Sequence, residues 1–173
     1  TFTPGSGTVQ FLANSGTQTL NSGGQAFNNI IHGGSGGILQ LVTNNLTVNG
    51  TFSNSSGAGN FDPATNSLAV SVIGLTTITG GTYLSGSAAQ SFNGGLTVNG
   101  GTFSGSGGTV NASNVTLSSG TLTAPTSAGA FNVSGNWSKT GGAFSPNSGT
   151  VTFNAGSGTQ TFNSGGNSFN NIS

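Results

Sequence analysis

Apolar and polar residues alternate in short segments along this chain: 9–11, 38–42, 46–48, 68–72, 96–98, 115–117, 131–133 and 151–153. Clusters of Gly, Ser and Asn separate them, at 33–37, 53–60, 104–108 and 164–167. Alternation with a period of two, bounded by such clusters, is the signature of half-buried β-strands. No stretch carries a helical period, and Glu, Lys and Arg, which favour helix, are nearly absent. Pro4, Pro63, Pro125 and Pro146 stand beside turn-forming residues, where a chain of strands tolerates them. The pattern predicts an all-β fold with a strand about every 8 to 12 residues.

The chain also repeats itself. Residues 2–30 read FTPGSGTVQFLANSGTQTLNSGGQAFNNI, and residues 144–172 read FSPNSGTVTFNAGSGTQTFNSGGNSFNNI. The two align without gaps at an offset of 142, with 21 of 29 positions identical. A shorter echo relates 46–57 to 96–107, at a spacing of 50. Such repetition fits a little more than one period of a longer tandem array. It fits equally a subunit whose two ends meet equivalent neighbours.

Strand spacing alone suits a sandwich, a barrel or a β-solenoid. The repetition favours the solenoid. So does Asn recurring after apolar residues (Asn28, Asn29, Asn49, Asn99, Asn170, Asn171), as if for stacked amides. The lack of charge on any face points the same way. Three short strands per coil would take roughly 20–27 residues, so residues 1–173 are expected to form a single parallel β-helix of roughly seven coils. The alternative is a β-sandwich, although two immunoglobulin-like sandwiches would need about 100 residues each.

Composition then removes most chemistry. The chain has one Asp (Asp62), one Lys (Lys139) and one His (His32), with no Glu, Arg, Cys or Met. Charged residues make up 1% of it, where a soluble domain carries about 25%. General acid–base catalysis needs positioned titratable groups, and glycoside hydrolysis needs two carboxylates. A zinc site needs three or four ligands. Neutralising phosphates takes several Lys or Arg. The expectation is therefore no enzyme, no catalytic residues, no cofactor, no metal and no nucleic-acid partner. No apolar run approaches the ~20 residues of a membrane span, so no membrane insertion is expected. No signal peptide is visible, and a chain that begins with Thr1 reads as a processed product or an excised fragment. With so little to titrate or oxidise, stability should depend weakly on pH, as suits a harsh extracellular setting.

The single candidates have modest readings. His32, before a glycine cluster, reads as a turn histidine. Asp62 in an Asp-Pro step reads as a turn cap. Asp62 and Lys139 could form a lone ion pair. Thr-x-Thr begins at Thr1, Thr17, Thr77, Thr121, Thr150 and Thr159, too irregularly for one ice-binding ladder. Asn-x-Ser/Thr sequons occur at eight asparagines, among them Asn111, Asn132 and Asn136, and matter only in a glycosylating host. Trp137, Tyr83 and the twelve Phe read as core ladders.

The phrase GTVTFNAGSGTQTF (149–162), FNNI (27–30) and NLTVNGTF (45–52), with copies at 7–20 and 169–172, resemble repeats of large bacterial secreted surface proteins. Those are similar to the filamentous-haemagglutinin and autotransporter β-solenoid group. The resemblance covers about half of the chain. It implies a parallel β-helix, an extracellular or cell-surface location and an adhesive or scaffolding role. The expected function is a structural subunit or tandem-repeat segment of an extracellular filament, sheath or adhesin stalk, with itself as partner, head to tail. The alternative is an adhesin that binds glycan, mineral or ice through a Thr/Asn-rich face. A terminal coil exposes unpaired backbone, and this chain brings no charged cap to cover it. The expected contact residues are Phe2, Phe11, Phe27 and Ile30 at one end, and Phe144, Phe153, Phe162, Phe169 and Ile172 at the other.

Overall fold

The computed structural model describes residues 3, 5–55, 57 and 59–173. It is a β-solenoid of parallel strands with no helix among the described residues, in about eight turns. The first turn carries β1 (Thr8–Phe11), β2 (Thr17–Leu20) and β3 (Ala26–Phe27). The second carries β4 (Asn29–His32), β5 (Ile38–Leu41) and β6 (Leu46–Val48). The third carries β7 (Phe52–Asn54), β8 (Asn60–Asp62) and β9 (Val70–Val72). The fourth carries β10 (Thr76–Ile78), β11 (Thr82–Leu84) and β12 (Gln90–Phe92). In the fifth, the long β13 (Leu96–Ser104) rounds a corner and serves two faces before β14 (Val110–Ala112). The sixth does the same with β15 (Val115–Thr123) and β16 (Ala130–Val133). The seventh carries β17 (Trp137–Lys139), β18 (Ala143–Ser145) and β19 (Thr150–Phe153), and a partial eighth carries β20 (Phe162–Asn163) and β21 (Asn171–Ile172). The expected parallel β-helix is present, with seven full coils and part of another.

The strands stack into three faces. The first face runs from β1 through β4, β7, β10, the starts of β13 and β15, and β17 to β20. The second runs from β2 through β5, β8, β11 and the ends of β13 and β15 to β18. The third runs from β3 through β6, β9, β12, β14, β16 and β19 to β21. Turn length varies: the step from Leu96 to its partner Val115 is shorter than the step from Trp137 to its partner Phe162. Corners absorb the difference, and the ladder register does not.

Inward positions form columns of apolar side chains. On the second face Leu39, Phe61, Tyr83, Phe103 and Leu122 follow one another, all wholly buried. Phe52, Phe61, Tyr83, Phe92 and Phe103 meet with ring centroids 4.7–5.9 Å apart. Edge-to-face pairs of this kind add about 0.5–1.5 kcal/mol each beyond burial. Tyr83 brings a hydroxyl into this core and donates it to Gln90 Oε1 at 2.6 Å. Gln90 Nε2 in turn donates to the carbonyls of Leu68 and Ala88 at 3.2 and 3.1 Å. The Oγ1 of Thr76 and Nε1 of Trp137 lie buried with no such partner.

Backbones of successive corners approach so closely that side chains do not fit. Gly50, Gly74 and Gly94 stack at the corner between the third and first faces. A Cβ on Gly94 would stand 2.3 Å from the carbonyl carbon of Gly74, and one on Gly74 2.4 Å from the Gly50 oxygen. At the corner inside β15, Gly120 has φ +78° and would place a Cβ 2.1 Å from the Gly101 oxygen. Stacked backbone, more than flexibility, accounts for glycine at these corners. Gly94→Ala is therefore expected to lower the urea midpoint by the equivalent of about 1–3 kcal/mol, the usual cost of overpacking. Gly156→Ala, where nothing lies within 4 Å, should leave it within about 0.5 kcal/mol. Equal midpoints for the two variants would contradict this reading of the corners.

Candidate functional site: open ends and an uncharged surface

The titratable side chains do not meet. Asp62 lies in the third turn and Lys139 in the seventh, so they form no ion pair. The Asp62 carboxylate accepts from the Thr65 N–H at 2.9 Å and the Thr65 hydroxyl at 2.6 Å, capping a turn as its Asp-Pro context suggests. His32 is not a corner residue. It points inward from β4, wholly buried, with Nδ1 2.7 Å from Asn54 Oδ1 of the next turn. Asn54 Nδ2 donates onward to the Gly80 carbonyl at 3.2 Å. Desolvation lowers the His32 pKa, against the opposing effect of its bonds to Asn54 and the Gly37 backbone. No group of three or more His, Cys, Asp or Glu that could hold a metal occurs among the described residues.

The surface chemistry is that of amides and hydroxyls. On the third face a hollow of about 160 Å³ is lined by Asn93, Asn111, Ala112, Ser113, Asn132, Ser134 and Asn154. Asn132 Nδ2 donates to Asn111 Oδ1 at 2.8 Å across one rung. Asn29 and Asn99, expected to form amide stacks, bond to other groups. Asn29 Oδ1 accepts from the backbone N–H and hydroxyl of Thr51 in the next turn, at 2.8 and 3.1 Å, and Asn99 Oδ1 accepts from the Ser119 hydroxyl at 2.9 Å. They tie corners together. Thr ladders also exist where Thr-x-Thr spacing did not show them: Thr77, Thr97 and Thr116 are in register on the first face, and Thr82, Thr102 and Thr121 on the second.

The ends expose ladder edges. Among the described strands β1, β2 and β3 pair on one side only, as do β18, β20 and β21. The expected contact residues divide accordingly. Phe162 is 46% exposed and Ile172 53% exposed, both at the final turn. Phe11, Phe153 and Phe169 are partly buried against the core. Ile30 is wholly buried between Val9 and Phe52, and Phe27 and Phe144 are buried too. Those three pack within their own chain. Phe2 lies outside the described residues. Large apolar side chains are exposed at Leu12 in the first turn, at Ile73 and Leu75 on the corner between the third and fourth turns, and at Phe162 and Ile172 in the last.

The two copies of the long repeat adopt the same local structure. Gln18 Oε1 accepts from the Ala13 N–H at 3.1 Å, and Gln160 Oε1 from the Ala155 N–H at 3.2 Å. Asn28 Nδ2 donates to the Ser6 carbonyl at 2.8 Å, and Asn170 Nδ2 to the Ser148 carbonyl at 3.1 Å. Gly23 and Gly24 have φ +57° and +75°, and Gly165 and Gly166 have +57° and +76°.

Comparison with known proteins finds no matching family model, no matching curated protein and no matching solved structure.

The buried groups set a pH prediction. The unfolded chain protonates His32 near its ordinary 6.5, while the folded chain refuses the proton until lower pH. The unfolded state then binds more protons, so stability falls as pH drops below 6.5 and through that window. Tyr83 is raised well above 10.0 by burial, so the folded chain keeps a proton that the unfolded one loses, and stability falls again in strong alkali. Urea midpoints should be level from about pH 7 to 9 and lower at about pH 5. A midpoint that does not change between about pH 8 and about pH 5 would refute the buried neutral histidine.

Proposed function

We propose that this chain is a structural element of an extracellular or cell-surface filament, sheath or adhesin stalk, assembling head to tail through its terminal turns. The observation that carries this reading is that the two copies of the long repeat fold alike, so the turn on which 33–41 stacks within the chain recurs at 148–170. The last turn combines unpaired strand edges with the exposed Phe162 and Ile172. Natural solenoids cap such edges, because exposed backbone recruits another strand. No charged side chain lies in the first or last turn to oppose that, and net charge is zero. A head-to-tail contact that does not close on itself propagates as a fibre. Near-absence of catalytic side chains supports a non-enzymatic role. The secreted-protein resemblance of 149–162 and 45–52 supports the surface location.

A second reading, favoured by the asparagine-lined hollow and the threonine ladders, is a binding module for a neutral, hydroxyl-rich surface such as a glycan. Electron microscopy separates the two. At neutral pH the purified chain should form long filaments of uniform width that persist in high salt, because backbone pairing and apolar contact are not screened. Dispersed particles that bind a glycan array and never elongate would instead establish the second reading.

A further inference from the structure

The two copies of the long repeat share a conformation but not a face. The first begins on the first face with β1, whereas its counterpart in the second copy, β19, lies on the third face of the seventh turn. β4 of the second turn, on the first face, likewise corresponds to β21 of the eighth, on the third. The repeat offset is thus six turns and two faces, a third of a turn short of seven.

What covers the first copy is on view, and the same cover is missing from the second. The glycine corner 33–37 sits on the corner of Ala13 and Asn14. Ser35 donates its N–H and hydroxyl to Asn14 Oδ1, each at 3.1 Å. A Cβ on Gly37 would stand 2.6 Å from the Ala13 oxygen, and Gly34 is tighter still. β5 then pairs with β2 along its whole length. In the second copy the matching corner, Ala155 and Gly156, is bare, with nothing within 4 Å of a Cβ on Gly156. From below, the second copy shows how this repeat is seated: Gln160 Nε2 donates to the Val133 and Gly135 carbonyls at 2.9 and 2.6 Å.

Building on the head-to-tail reading above, we infer that the occupant of the bare upper surface is a second copy of this chain, entering in register. Residues from His32 onward stack on 144–173 of the preceding copy as they stack on 2–31 within one chain. At such a junction 144–173 of the first copy displaces 2–31 of the second, which leaves the stack while β5 gives up its pairing with β2 for the new base. The glycine corner 33–37 covers Ala155, and Ile38–Leu41 pairs with 159–162. Successive copies then advance by about 32 Å, at about 4.8 Å per turn, and each is rotated by a third of a turn. The asparagine hollow points in three directions in succession along the fibre, so every side of it offers the same amide surface to lateral neighbours.

The test is a fusion in which Ser173 of one complete chain is joined to His32 of a second. It should give a straight rod about 32 Å longer than the single chain by electron microscopy. Its amides over 159–172 should exchange at least tenfold more slowly than in the single chain. Gly34→Val in the second copy alone should restore their fast exchange. Amides that stay as labile as in the single chain, or a second copy that fails to fold on a folded first, would overturn the register. Filaments formed by single chains alongside a failed fusion would retain the head-to-tail reading while removing this junction. Dispersed single chains alongside a successful fusion would do the reverse.

Discussion

Everything in this molecule depends on the backbone hydrogen bonds that join each turn to the next. Along the strands of this solenoid the N–H and C=O groups point up and down the axis and are satisfied by neighbouring turns, while corners such as Ser22–Gln25 and Ala64–Ser67 close local bonds of their own. A buried unpaired backbone group costs about 1–3 kcal/mol, so stacking is obligatory. Close stacking imposes the rest. Corners must let backbone lie on backbone, which selects glycine at positions such as Gly74 and Gly94. Inward side chains must fall above one another, which makes columns in place of scattered contacts, and the aromatic cluster around Tyr83 follows. Turn length varies at the corners, and even where β13 and β15 pair through one, the register shifts there and recovers on the next face.

The same constraint explains what could be read in the sequence. Strands with two inward apolar residues, such as Leu46–Val48 and Val70–Val72, show their alternation directly. Strands whose inward positions are polar do not. Asn54, Thr76, Gln90 and Lys139 all face the core and break the pattern, so Phe52–Asn54, Thr76–Ile78, Gln90–Phe92 and Trp137–Lys139 carry no clear signal. Gln90 is tolerated there because its carboxamide is satisfied by Tyr83, Leu68 and Ala88, partners that only the fold brings near. His32, before a glycine cluster, reads from the sequence as a turn histidine, and its place inside the core depends on Asn54 of the following turn. The threonine ladders are invisible to motif spacing because corner length decides which residue of one turn stands over Thr77 or Thr97 in the next. The terminal contact residues show the limit of repeat-based reasoning. Identity between two copies marks a shared local fold, and burial then decides which members, such as Ile30, never reach a neighbour.

Uncharged composition and open ends belong together. Charge on an end would raise the desolvation cost of stacking another turn upon it, and charge on the outer faces would repel laterally. Amide and hydroxyl faces allow contact without either penalty.

Hydrogen–deuterium exchange of the purified chain across a range of concentrations tests this most directly. If the last turn completes its ladders on a neighbouring copy, amides of β20 and β21 become progressively protected as concentration rises, while those of β8 to β14 remain protected throughout. If the terminal amides exchange equally fast at every concentration, the open ends are not assembly surfaces and the central claim is wrong.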